Sequence, residues 1–89
     1  MLNERHVISE ELFVEMVVSR LSSPIEGSRH SFKYRIALIV KGECFLRYDN
    51  ERGQGDHKHL GKKRVAYDFS TPEGLLNDFW KDVENWRKK

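Results

Sequence analysis

The strongest constraint on the fold is a pair of alternating stretches joined by a two-residue turn. In FKYRIALIV every second residue from Phe32 to Val40 is apolar, which predicts a strand with one buried face. Lys41 and Gly42 then form a turn, because glycine supplies the positive φ that tight hairpins require. The stretch ECFLRYD follows and places Cys44, Leu46 and Tyr48 on one face. We therefore expect an antiparallel hairpin in which Cys44 faces the core.

Further elements flank this hairpin. ELFVEMVVSR alternates in the same way and predicts an earlier strand, residues 21 to 31 form an exposed connection, and RVAYDFS predicts a short last strand. The chain then predicts a helix with Ser70 or Thr71 as N-cap and Pro72 in its first turn. Its apolar stripe comprises Leu75, Leu76, Phe79, Trp80, Val83 and Trp86. We predict an α+β fold: a small antiparallel meander of about four strands with the amphipathic helix packed on one face.

Length and composition restrict the class of protein. A chain of 89 residues has too little apolar area for two cores, so residues 1–89 are expected to form one domain. Hydrophobic residues make up 38%, which is enough for such a core. A single cysteine suits a reducing compartment, and no apolar run approaches the roughly 18 residues of a membrane span. The sequence therefore predicts a cytoplasmic protein that does not bind a membrane.

Cations cluster in the middle of the chain, although its formal net charge is only +2. Arg35 and Arg47 fall on the same face of the predicted hairpin, with Lys33 further along. Like charges so close together favour an anion between them, and the planar guanidinium group matches phosphate oxygens. The alternative is a solvated outer face of an antiparallel sheet.

The stretch RYDNERGQGDHKHLG contains two histidines in an i, i+2 pair. In an extended segment His57 and His59 point to the same side, with Lys58 opposite and Asp56 just before. At neutral pH one imidazole can accept a proton and the other donate one, as RNA cleavage through the 2′-hydroxyl requires. The pair could instead bind a transition metal with Asp49, Asp56 or His30, or the stretch could be a flexible polar loop. We assign neither a metal nor a cofactor from the sequence.

A longer pattern resembles a known family. FKYRIALIVKGECFLRYDNERGQGDHKHLG, a short strand and LLNDFWKDVENW are similar to the TumE-like toxins of bacterial and archaeal toxin–antitoxin modules, from His6 to Trp86. The R-Y-D-N and G-D-H-x-H elements are the most specific part of the resemblance. They single out further candidate site residues, which are Arg47, Tyr48, Asp49, Asp56, His57 and His59. The family's G-x-G element often has a basic residue where this chain has Gln54, so Gln54 is not a candidate.

The resemblance implies a growth-inhibiting toxin that cleaves RNA, paired with a DNA-binding antitoxin, and a compact toxin-ribonuclease architecture. Combined with the residues, it predicts a metal-independent endoribonuclease. Its catalytic candidates are His57, His59, Arg47, Asp56 and Tyr48, and its substrate-binding candidates are Arg35, Lys33, Lys58 and Asp49. The alternative is a non-catalytic module that binds nucleic acid or protein. The sequence leaves open whether the chain forms a homo-oligomer.

Overall fold

An antiparallel meander forms the body of the fold. The computed structural model describes residues 2–24, 29–51 and 53–87. Within those residues six strands pair in sequence order into one sheet, and one helix follows them. The elements are β1 (Leu2–Ser9), β2 (Leu12–Arg20), β3 (Phe32–Val40), β4 (Glu43–Glu51), β5 (Gly55–Leu60), β6 (Lys63–Ala66) and α1 (Pro72–Arg87). The predicted α+β class, with an antiparallel sheet and a C-terminal helix, is confirmed.

The core lies between one face of the sheet and α1. The apolar faces of β2, β3 and β4 contribute most of it, and the helix adds Leu75, Phe79 and Val83. Burying each large side chain stabilises the fold by about 1.5–3 kcal/mol. The predicted helical stripe is confirmed except at its margin, where Trp80 is 36% exposed and contacts His6 edge-on. The helix thus covers one face of the sheet, and no described helix lies on the other.

The helix begins where the sequence predicts it. The Thr71 hydroxyl accepts a hydrogen bond from the backbone N–H of Gly74 at 3.0 Å, so Thr71 is the N-cap and Pro72 the first helical residue. The helical residues that the structure describes include no stretch long and apolar enough to cross a bilayer.

The expected number of strands, about four, is wrong, because the described residues form six. β1 escapes a hydrophobic-pattern analysis because it is an edge strand with mostly exposed side chains, held to β2 by backbone hydrogen bonds. β5 lies inside the stretch RYDNERGQGDHKHLG, for which a flexible polar loop was one interpretation, and it has no apolar period because its polar side chains pair with polar side chains of β4. Residue 52 of that stretch lies outside the described residues.

Two smaller expectations also fail. The last predicted strand ends earlier, at Ala66, although Tyr67 and Phe69 still pack against the core. Cys44 is exposed rather than core-facing. Its pairing explains this, since the register shifts between Leu38 and Ile39 and the alternation of β4 changes beyond that bulge.

Candidate functional site

Two rows of polar side chains cross the uncovered face of the sheet. Residues paired between neighbouring strands share a face, so the register places them together. The first row is Arg35, Asp49 and His57, from β3, β4 and β5. The second row is Arg47, His59 and Arg64, from β4, β5 and β6. We call this surface, defined by these six residues, the open face.

Asp49 is the buried centre of the open face. It is 5% exposed, and His57 beside it is 3% exposed. His57 Nε2 lies 2.7 Å from Asp49 Oδ1, and Arg47 Nε lies 3.1 Å from Asp49 Oδ2. Both contacts have ion-pair distance without the direction of a hydrogen bond. Among the described residues, Asp49 Oδ1 and Arg47 Nε therefore have no hydrogen-bond partner.

His59 is the more accessible imidazole. Arg47 Nη2 donates a hydrogen bond to His59 Nε2 at 3.0 Å, which fixes Nε2 as the unprotonated nitrogen because arginine can only donate. Burial lowers the pKa of His59, and the positive charge of Arg47 lowers it further. The two imidazole rings lie edge to face, with centroids 4.9 Å apart. His59 is therefore held in its neutral form beside a second imidazole.

Arg64 is a site residue that the sequence analysis missed. Its Nη2 donates to Gln54 Oε1 at 2.6 Å and lies 3.4 Å from His57 Nδ1, which also faces the Gly55 carbonyl at 3.2 Å. Each imidazole thus has an arginine against one ring nitrogen. The alternation of RVA in the predicted last strand was the available signal. It shows which side of the sheet Arg64 lies on only once β5 is known to be the neighbouring strand.

Tyr48 and Lys58 lie on the opposite face of the sheet, away from the two imidazoles. Tyr48 is 1% exposed, and its hydroxyl donates to Asp82 Oδ2 of α1. Burial raises the pKa of Tyr48, and the hydrogen bond to Asp82 raises it further, so the phenol stays protonated. Lys58 Nζ donates to the same carboxylate at 3.2 Å. The two residues thus connect the sheet to the helix.

Asp56 also lies on the helix-covered face. Tyr34 donates a hydrogen bond to Asp56 Oδ2 at 2.7 Å, and His30 Nε2 lies 2.6 Å from the same atom. The backbone N–H of Phe32 donates to His30 Nδ1 at 3.1 Å, so Nε2 carries the imidazole proton that Asp56 accepts. These contacts hold the end of the connection before β3 against β5.

The remaining candidates are cations of β3. Lys33 pairs with Ser19 and Arg35 with Asp49, and both side chains are exposed on the same side as the imidazoles. Of the nine predicted site residues, the structure brings six to this side, and it separates Tyr48, Asp56 and Lys58 from them.

One group of donor atoms has the composition of a metal site. A carboxylate oxygen of Asp49 and a ring nitrogen of each of His57 and His59 lie within 4.8 Å of one another. Of the ligands considered in the sequence, Asp49 joins the histidine pair, whereas Asp56 and His30 lie on the other face.

Comparison with known proteins gives a family. A family model described as Toxin TumE matches residues 1–87. Searches of curated proteins and of solved structures find no match to this chain. The match covers every element of the fold and every residue of the open face.

Proposed function

The chain belongs to the TumE toxin family, and from that membership we propose that it inhibits growth as a metal-independent endoribonuclease, with histidines as general acid and base. A toxin of this family implies an antitoxin partner. The observation that carries the proposal is the pair of neighbouring imidazoles, each in contact with an arginine, on the open face.

RNA cleavage through the 2′-hydroxyl needs three kinds of group. A base accepts the hydroxyl proton, an acid donates a proton to the departing 5′-oxygen, and cations stabilise the extra negative charge on the phosphorus oxygens. His59 is the candidate base and His57 the candidate acid. Arg35, Arg47 and Arg64 lie in the rows beside them and are the candidate phosphate ligands.

The arginines also control access to the imidazoles. Arg47 holds the basic nitrogen of His59, and Arg64 lies against His57 Nδ1. A guanidinium group binds a phosphate more strongly than it binds a neutral imidazole, because the negative charge of the phosphate makes the hydrogen bonds charge-assisted. When the substrate phosphate draws these side chains towards it, the ring nitrogens become available. Substrate binding and activation of the histidines are then the same event.

The proposed step conserves protons. The 2′-oxygen attacks phosphorus as its proton passes to His59 Nε2, and the bond from phosphorus to the 5′-oxygen breaks as His57 donates a proton to that oxygen. The products are a 2′,3′-cyclic phosphate and a free 5′-hydroxyl. Asp49, 2.7 Å from His57, keeps that ring oriented.

The test is cleavage of RNA by the purified protein in EDTA. We expect wild-type protein and His6→Ala to cleave, because His6 lies on β1, outside the open face. His59→Ala and Arg47→Ala should each lose at least about 100-fold in rate. RNA with a single 2′-deoxynucleotide at the mapped cleavage position should resist cleavage there, because the attacking hydroxyl is missing.

Two outcomes would contradict the proposal. Cleavage that needs an added divalent metal, or that proceeds at the 2′-deoxynucleotide, would exclude this mechanism. Tight RNA binding without cleavage would instead favour the alternative function, a non-catalytic binding module. One observation favours that alternative: cations outnumber carboxylates on this side of the sheet, with Arg5, Lys33, Arg35, Arg47 and Arg64 against Glu15, Asp49 and Glu51.

A further inference from the structure

The donor group on the open face is complete enough to bind an ion by itself. We propose that Asp49, His57 and His59 form a binding site for one transition-metal dication of the zinc type. We further propose that the bound ion switches the open face off. The second part rests on the proposed function, because it treats the imidazoles as the groups that the ion removes from catalysis.

The sheet preorganises the three ligands. The i, i+2 spacing puts both histidines on one side of β5, and the register pairs His57 with Asp49 across to β4. Zinc holds nitrogen and oxygen ligands at about 2.0–2.2 Å, which separates tetrahedral ligand atoms by about 3.3–3.6 Å. The donor atoms already lie within 4.8 Å of one another, so binding requires only small movements.

Burial supplies a second, independent observation. Asp49 Oδ1 is buried and has no directional hydrogen bond from the described residues. Its close contact is the 2.7 Å ion pair with His57 Nε2, which is itself one of the proposed ligands, and buried carboxylates are normally paired or bound to a metal. A cation bound by this oxygen would compensate for the lost hydration.

The chemistry of the donors selects the ion. Two imidazole nitrogens and one carboxylate suit zinc, cobalt, nickel or copper, whereas magnesium prefers oxygen ligands alone. The helix packs on the other side of the sheet, so the ion would lie on the open face, next to the partly buried His59 and Arg47. Structural zinc is almost always held by four protein ligands, so a set of three does not fit a purely structural role.

Arg47 competes with the ion for His59 Nε2. It occupies His59 Nε2 at 3.0 Å and would place a positive charge beside the bound dication. The ion can bind only when this hydrogen bond is released, and it then holds the nitrogen that the proposed step needs. Metal and catalysis are therefore mutually exclusive at His59.

The first experiment measures binding without RNA. The full chain is treated with EDTA, desalted and titrated with zinc chloride by calorimetry, and with cobalt chloride by its visible absorption. We expect one ion per chain, no response to magnesium, and wild-type affinity in His6→Ala. His59→Gln should weaken binding about 100-fold, and Arg47→Ala should tighten it roughly tenfold by removing the competing donor.

Asp49→Asn tests the third ligand, and circular dichroism shows whether each variant is folded. Because His59 is only partly buried, His59→Gln keeps the test valid if Asp49→Asn or a change at His57 unfolds the chain. Equal zinc affinity in wild type and His59→Gln would overturn the site, as would binding of magnesium with similar strength.

The second experiment adds RNA. Zinc should inhibit cleavage with the same midpoint as direct binding, and EDTA should restore the rate. Cleavage unaffected by saturating zinc would overturn the inhibitory role. Zinc binding through these ligands by a protein that never cleaves RNA would support the site and overturn the proposed function. Cleavage in EDTA by a protein that binds no zinc would support the proposed function and overturn the metal site.

Discussion

At the residue scale, the structure separates the candidates by the face of the sheet on which they lie. Odd and even positions of β4 and β5 point to opposite sides, so Arg47, Asp49, His57 and His59 meet, while Tyr48 and Lys58 face α1. The sequence predicted from the i, i+2 spacing that His57 and His59 share a side, and from the hairpin that Arg35 and Arg47 share a face, but not the contact of Arg64 with His57. It could not divide the remaining candidates, because similarity to a motif gives positions without showing the direction of each side chain.

Tyr48 gives a prediction about stability. Tyr48→Phe should lower the free energy of unfolding by about 1–2 kcal/mol, because a buried hydroxyl that donates to Asp82 is lost, while RNA cleavage stays within a few-fold of wild type. Tyr67→Phe is the matched control, since its hydroxyl donates to Asp78 in an exposed position and should cost less. Urea denaturation measures both. Loss of cleavage by about 100-fold at unchanged stability would indicate a catalytic role for Tyr48.

Arg64 gives a prediction about phosphate binding. Arg64→Ala should raise KM for RNA more than it lowers kcat, and it should reduce the slope of log affinity against log salt by roughly 0.7, the value for one phosphate contact to a single strand. Lys63→Ala is the control, because Lys63 is the preceding cation of the same strand on the opposite face. If both variants change affinity and slope equally, the effect is one of net charge and the assigned contact is wrong.

At the scale of elements, a strand or helix could be predicted from the sequence when burial of apolar side chains stabilises it. β2, β3 and α1 bury a continuous apolar face, so hydrophobic periodicity locates them. β1 and β5 are held by backbone hydrogen bonds and pairs of polar side chains, which leave no apolar period in the sequence. The bulge that exposes Cys44 is a property of the pairing between β3 and β4, and neither strand's own sequence contains it.

The turn between β3 and β4 gives a prediction about stability at the scale of elements, and here the substitution is expected to stabilise the protein. Lys41 has a φ of 51°, and among the described residues it is the only residue other than glycine with a positive φ. Lys41→Asn should stabilise the protein by about 0.5–1 kcal/mol, because asparagine tolerates the left-handed region and Asn-Gly is the favoured pair for this hairpin turn. Lys62→Asn, in the turn between β5 and β6, should change little. Thermal denaturation compares them, and destabilisation by Lys41→Asn would show that the lysine side chain matters more than its backbone strain.

At the scale of the whole molecule, the charge distribution and the covered face define where a partner can bind. One side of the sheet is packed against α1, and the outer surface of α1 carries both Lys81 and Glu84, which offer no field of one sign. The open face carries Arg35, Arg47 and Arg64 beside the imidazoles and is bordered by Lys33 and Arg5. An acidic segment of the antitoxin would therefore be attracted to the open face and would cover the imidazoles directly.

The charge distribution predicts the footprint of the antitoxin. Arg35→Glu should slow association with the cognate antitoxin by roughly tenfold at low salt, because charge complementarity accelerates encounter, and the difference should shrink as salt increases. Lys81→Glu, an equal change of charge on the exposed side of α1, should leave the rate within about twofold. Stopped-flow mixing gives the rates, and amide hydrogen exchange should show new protection in residues 53–66. Protection confined to residues 73–87, together with equal rates for the two variants, would place the interface on the helix, and silencing would then have to act without covering the imidazoles.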